Sequence, residues 1–366
     1  MDYTLPVWGD GTDTIDESRL LAGYHAGPQA RQHLNAIWHK NANELQDAKA
    51  LFAPIAMRQI GDPTIVGIPT EPWADVIWVR ELGLFVTVAT SGVTHRVATS
   101  PDGHSWTGQM AQAGAWKSVC WSPALAKLVA VGNLTSVMTS TDGVNWTLTT
   151  SALAANDWRS VCWSEDEGVF VAVASSGTDR VATSANGTTW TARSASAVSG
   201  WCDVVRSDAL GLFIAVAESG TTYCMTSPTG VTWTSRAGLP TAANFIAVVN
   251  GFDVDGTTHF PVMLFVGGAG TGTYSTSTDG IAWGYEGADP GNKTWVDGVW
   301  AESIAAAILV ASDGSYAWTT DPFLGNWTAL GPFNLATDRD AVCWAVERGL
   351  MCSVASAGSS RCQVSR

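Results

Sequence analysis

Three arginines recur at one place in a repeating chain. Arg96, Arg180 and Arg361 each open a short run, Arg-Val-Ala-Thr-Ser twice and Arg-Cys-Gln-Val-Ser once. A set of guanidinium groups at equivalent positions could grip a carboxylate in the bidentate geometry that arginine favours. Near them in repeat position stand His95, Asp179, Tyr223 and Tyr274, with Glu218 close to Tyr223. An arginine cluster with an activated tyrosine and acidic partners could serve glycoside hydrolysis. The competing chemistry is recognition: aromatic faces and planar hydrogen-bonding groups suit sugars, and Trp116, Trp158, Trp201 and Trp295 lie at matching repeat positions. Residues that recur in register usually serve the repeat itself, and stacking of each arginine on a neighbouring tryptophan is the structural reading.

Other chemistries fit poorly. Net charge is −14, and no basic stripe is present for a phosphate backbone, so nucleic acid is not an expected partner. The six histidines form no ligand pair; His33 and His39 are six residues apart and do not share a helix face, so no metal or cofactor is expected. Gly267-Gly-Ala-Gly-Thr-Gly272 lacks the Lys-Ser/Thr and the helix of a phosphate loop. Cys120, Cys162 and Cys343 each sit in Val-Cys-Trp, which reads as a small buried hydrophobe. The longest apolar run, Ile304 to Ala311, is far too short to span a bilayer, and the N-terminus has no secretory pattern, so neither export nor membrane insertion is expected.

The elements that must position these residues come from the repeat. Trp73, Trp116, Trp158, Trp201, Phe245, Trp295 and Arg339 are anchors spaced 43, 42, 43, 44, 50 and 44 residues apart. Five residues after most anchors comes a second tryptophan, and a third closes a later turn. These three slots hold 16 of the 19 tryptophans, so their abundance belongs to the repeat and is not a count of binding residues. Each unit reads as four short strands with turn signals every 8–12 residues, which predicts an all-β, seven-bladed β-propeller of four-stranded blades. The last unit matches only three strands before Arg366. An unpaired edge would remain, so residues 55–67 are expected to complete that blade as an N-terminal closing strand. The loops joining strands two to three and blade to blade share one face, which carries the candidate ligand site.

The turns between strands three and four read Ser100-Pro-Asp-Gly-His-Ser-Trp106, Ser140-Thr-Asp-Gly-Val-Asn-Trp146, Ser184-Ala-Asn-Gly-Thr-Thr-Trp190, Ser227-Pro-Thr-Gly-Val-Thr-Trp233 and Ser277-Thr-Asp-Gly-Ile-Ala-Trp283. They resemble a variant, one residue shorter, of the Asp box of sialidase-like propellers. That resemblance implies a folding element rather than a catalytic one. The Arg-Ile-Pro signature of that family is absent, since Arg58-Gln-Ile does not match it. The chain is therefore expected not to be an enzyme.

Residues 1–53 do not repeat, and the propeller is assigned to 54–366. After Pro28 a helical pattern spans 29–52, with Leu34, Ile37, Trp38, Asn41, Leu45, Ala48 and Phe52 on one face. Leu5-Pro-Val-Trp-Gly9, an acidic stretch to Glu17, Gly23-Tyr24 and this helix look like the N-terminal attachment region of bacteriophage tail fibres and spikes. The resemblance implies attachment to other virion proteins through residues 1–53, a homotrimer built on the helix, and a virion location. The propeller would then contact a host-surface glycan or protein. A capsid-surface fibre or decoration protein, a sialidase-like hydrolase and a stand-alone bacterial lectin are the alternatives.

Overall fold

The computed structural model describes residues 65–92, 95–133, 135–150, 152–237, 245–252, 261–267, 273–288, 293–304, 306–319, 327–330, 340–357 and 361–365. The helix residues Leu34, Ile37, Trp38, Asn41, Leu45, Ala48 and Phe52 lie outside them. The described residues are all-β apart from two short 3-10 turns.

Six sheets have four strands each, every one an antiparallel meander in chain order. Blade one is typical: Trp73–Val79, Leu84–Ala89, Val97–Ser100 and Thr107–Gln109. Innermost strands carry the anchors. Second strands are the most buried, as in Leu84–Ala89 and Val169–Ala174, because both faces pack against neighbouring blades.

The expectation of seven four-stranded blades is corrected: six are found. The remaining sheet has three strands, Ala341–Ala345, Leu350–Val354 and Cys362–Ser365. This terminal sheet shares one core cluster with blade one and another with blade six. The closing strand expected at 55–67 lies, but for residues 65–67, outside the described residues. There the Val66 N–H donates to His104 O at 3.0 Å and Val66 O accepts the Trp106 N–H at 2.9 Å, while Ile65 packs on the core shared by blade one and the terminal sheet. Gly67 then turns at φ 79°, where a Cβ would strike the Trp106 carbonyl.

The Ser-x-Asp-Gly turns show why the repeat needs those residues. Ser140 Oγ accepts the N–H groups of Asp142 and Gly143, while Asp142 Oδ1 accepts those of Val144 and Asn145 at 2.8 and 2.7 Å. The glycine takes a left-handed φ and packs against the preceding blade; at Gly230 (φ 77°) a Cβ would lie 2.6 Å from Val171. Its carbonyl accepts the Nε1–H of the closing tryptophan, as from Trp106, Trp146, Trp190 and Trp233. The turn is thus a wedge between blades, and Gly103 joins blade one to the terminal sheet through Val364 in the same way.

Candidate functional site

The first-slot tryptophans are interior. Trp116, Trp158, Trp201 and Trp295 are at most 1% exposed. The indole N–H groups of Trp116, Trp158 and Trp201 reach back four residues to the carbonyls of Gln112, Ala154 and Ala197 at 3.0–3.2 Å. Their rings form inter-blade cores and offer no face to a sugar.

Arg96, Arg180, Tyr223 and Arg361 do occupy one repeat position. Each accepts, through its carbonyl, the N–H of an alanine at or near the end of the strand before: Ala89, Ala174, Ala217 and Ala355. The guanidinium groups are engaged by backbone. Arg96 Nη1 donates to Gly114 O at 2.7 Å, just ahead of the next blade's anchor. Arg180 donates to Gly177 O, Ser175 O and Ser199 O, and Arg361 to Ser356 O. Bonding to loop carbonyls, not the expected stacking on tryptophan, holds them. The His95 ring lies against Gly108, Asp179 is half-buried and accepts the Asn156 side chain through its carbonyl, and Tyr223 packs partly on the blade-four core. Tyr274 is not a loop residue: it lies within the strand Thr273–Ser277, 2% exposed, edge-on to Trp327 at 5.7 Å. The candidate loop residues share a face, on which Arg96, Arg180 and Arg361 each bond loop carbonyls.

Sequence reasoning passed over a second set on that face. In five of the six blades the first strand has a register shift beside its anchor, and in blade three the shift falls between Val173 and Ala174 opposite the same point. This bulge turns the residue after the anchor out of the ladder. In blades two and three that residue is Lys117 and Arg159, where other blades carry Ala74, Cys202 and Val296. Lys117 pairs with Asp157 of blade three, and Arg159 lies 3.6 Å from Asp157 and 3.5 Å from Glu218 of blade four. Ser175 Oγ donates to Asp157 at 2.9 Å. Burial tends to raise the Asp157 carboxyl, but Lys117, Ser175 and Arg159 outweigh it and hold it below its ordinary value. The result is a strip of alternating charge across three blades. Its signal was available: in a repeat, charged residues at a position that is otherwise small or apolar are not explained by the repeat.

Beneath the strip a polar belt joins the innermost strands. Asp75 accepts the Val119 N–H at 2.8 Å, Ser118 that of Val161, Ser160 that of Val204, and Asp297 that of Val342 at 2.8 Å. Each bond crosses from one sheet to the next. Ser160 Oγ also donates to Asp203 at 2.7 Å. Burial raises the Asp75 carboxyl to about 6, only partly offset by the Val119 N–H, and the charge of Asp203 adds to the rise. Burial likewise pushes Asp297 well up, with Asp203 and Asp75 contributing. Burial also raises the thiols of Cys120, Cys162 and Cys202, and that of Cys224 to about 12, so none is a thiolate nucleophile near neutral pH. Among the described residues no three His, Cys, Asp or Glu side chains are grouped to hold a metal ion, and no helix is long and apolar enough to cross a membrane.

Residues 95–341 match the model of the DUF6242 beta propeller domain. The chain belongs to that family. No curated protein sequence matches it. Among solved structures, this DUF6242 propeller is similar to a streptogramin B lyase, with a TM-score of 0.68 at 8% identity over 82% of this chain and 94% of the other. It is similar to the virginiamycin B lyase of Staphylococcus aureus at 0.66 and 8%, over 81% and 95%. YCF48 bound to D1 peptide follows at 0.60 and 15%, over 82% and 95%. At such identities the likeness is one of fold. Neither a virion role nor glycoside hydrolysis has support among these relatives.

Proposed function

We propose that this DUF6242 propeller is a non-catalytic recognition module whose loop face binds a charge-bearing surface ligand along Lys117, Asp157, Arg159 and Glu218. The observation that carries the reading is the state of Arg159. Its guanidinium makes only ion pairs at 3.5 and 3.6 Å, whereas Arg96, Arg180 and Arg361 donate to carbonyls. Arg159 therefore retains hydrogen-bonding capacity for a ligand, and its carboxylate neighbours favour one that presents both charges, such as an extended polypeptide. The neighbour of this fold described as bound to D1 peptide supports a polypeptide partner. The hydrolase alternative gains nothing from the geometry, because its arginines are engaged by the backbone.

The N-terminal resemblance supports a setting for this module: the chain is a trimeric phage tail fibre or spike, attached to other virion proteins through residues 1–53, and the propeller meets the host surface. The recognition reading is tested on peptide and glycan arrays with the full chain. Arg159→Ala with Lys117→Ala should fold normally and lose at least tenfold in binding, while Arg96→Ala should act mainly on stability. Unchanged array binding by the first variant rejects the strip. The setting is tested separately, by probing purified phage particles for the protein with and without residues 1–53.

A further inference from the structure

None of the seven cysteines is in a disulfide, and two of them meet: Cys352 Sγ and Cys362 Sγ lie 3.6 Å apart in the core of the terminal sheet. They stand on adjacent antiparallel strands, where Cys352 faces Val364 and Val354 faces Cys362. The two cysteines therefore share one sheet face on a diagonal. Strand twist shortens one of the two diagonals of such a pair, and the sulfur separation shows that this is the short one. A disulfide needs sulfurs about 2.05 Å apart, which a modest side-chain rotation and a small strand shift can supply.

We propose that Cys352 and Cys362 are a redox modification site, a reversible disulfide that staples the last described strand to its neighbour. Oxidation removes two electrons and two protons, and the acceptor is a low-molecular-weight disulfide. One cysteine thiolate attacks it and releases one small thiol; the second then attacks the mixed disulfide and releases the other. Access comes from local opening. Cys362–Ser365 lies at the end of a three-stranded sheet, and among the described residues no strand pairs with its far edge. Such strands open at lower cost than interior ones. The staple has a structural target as well. Cys362 Sγ lies 3.8 Å from the Gly103 carbonyl, and Val364 packs against Gly103, so this strand is where the blade-one turn rests. Tying it to Leu350–Val354 holds the junction of blade one and the terminal sheet shut.

The test is to incubate the folded full chain with oxidised glutathione, quench with acid, and alkylate under denaturing conditions for mass spectrometry. The expected result is alkylation of five of the seven thiols, a linked peptide pair containing Cys352 and Cys362, and a rise in Tm that dithiothreitol reverses. Cys362→Ala should abolish both the linked pair and the shift. If that variant does not fold, the peptide map of the unaltered chain decides alone. Alkylation of all seven thiols, a linkage between other cysteines, or a stable glutathione adduct on either residue would overturn the proposal.

Discussion

Aspartate is used in two opposite ways in this molecule. On the outer turns Asp102, Asp142 and Asp279 are held below their ordinary pKa; along the innermost strands Asp75 and Asp297 are held above it. Burial pushes every one of them upward, and its depth separates the sets: the turn aspartates lie near the surface, where their donors outweigh it, while Asp75 and Asp297 are deeply buried and their donors offset it only in part. Asp142 stays near the surface and meets the Asn145 side chain, two backbone N–H groups and the Ser140 hydroxyl, which outweigh the burial and bring it to about 2. Asp75 has the Val119 N–H as its main donor, lies inside a ring of strands, and feels Asp203. The turn aspartates are charged staples, and the belt aspartates act as neutral hydrogen-bonding groups when protonated.

The largest effect that would break this comparison is removal of a whole turn. Ser140→Ala with Asp142→Ala leaves the N–H groups of Asp142, Gly143, Val144 and Asn145 without their acceptors, and should cost about 4 kcal/mol by denaturant unfolding. A cost below about 1 kcal/mol would mean the turns are not staples.

Next comes the belt. The raised Asp75 pKa means the folded chain keeps a proton that the unfolded chain releases. Stability from this group is complete below pH 3.8, falls as pH rises, and reaches its lower plateau above about 6. Asp75→Asn keeps an acceptor for Val119 without the charge. It should stabilise the chain at pH 8 by no more than about 3 kcal/mol and do little at pH 4. Melting curves at both values check it, and equal shifts at the two would refute the assignment.

Blade four offers a gain. Thr229 fills the aspartate position there and makes a 3.4 Å bond to the Val231 N–H. Thr229→Asp should add about 1 kcal/mol at pH 7 by supplying the missing carboxylate. The smallest effect is Asp142→Asn. Asn186 already makes the equivalent bonds in blade three, at 2.9 and 2.8 Å. Stability at pH 7 should change by less than about 0.5 kcal/mol. The acid-side loss between pH 3.8 and about 2, where the lowered Asp142 takes up its proton, should weaken. An unchanged acid limb would assign it to other carboxylates.

Much of the fold was readable because each blade repeats the same local physics. Trp-x-Ser-Val-Cys-Trp is the innermost strand in blades two and three, and Ser-x-Asp-Gly is a turn wherever it is described. The repeat also misled. Recurrence points to a ligand face, yet the anchor tryptophans recur because they fill inter-blade cores, and Arg96 and Arg180 bond loop carbonyls beside the next blade. Lys117 and Arg159 were passed over because they do not recur, although in a repeat the exceptions are the residues left over for function. The alternation in residues 55–67 suited a strand; most of that segment lies outside the described residues, and its end meets the blade-one turn through Val66.

The all-β class, the four-strand unit and the turn chemistry follow from the sequence alone, whereas the burial of the anchor tryptophans came from the structure. The first three properties are local, set by alternation, by glycine at positive φ and by side chains that bond their own turn. Only the tertiary structure decided that bulges turn Lys117 and Arg159 out of the ladder, that carboxylates distant in sequence raise one another's pKa, and that Cys352 and Cys362 meet. Each of these depends on strands brought together around a ring, where charge and distance act through space and not along the chain.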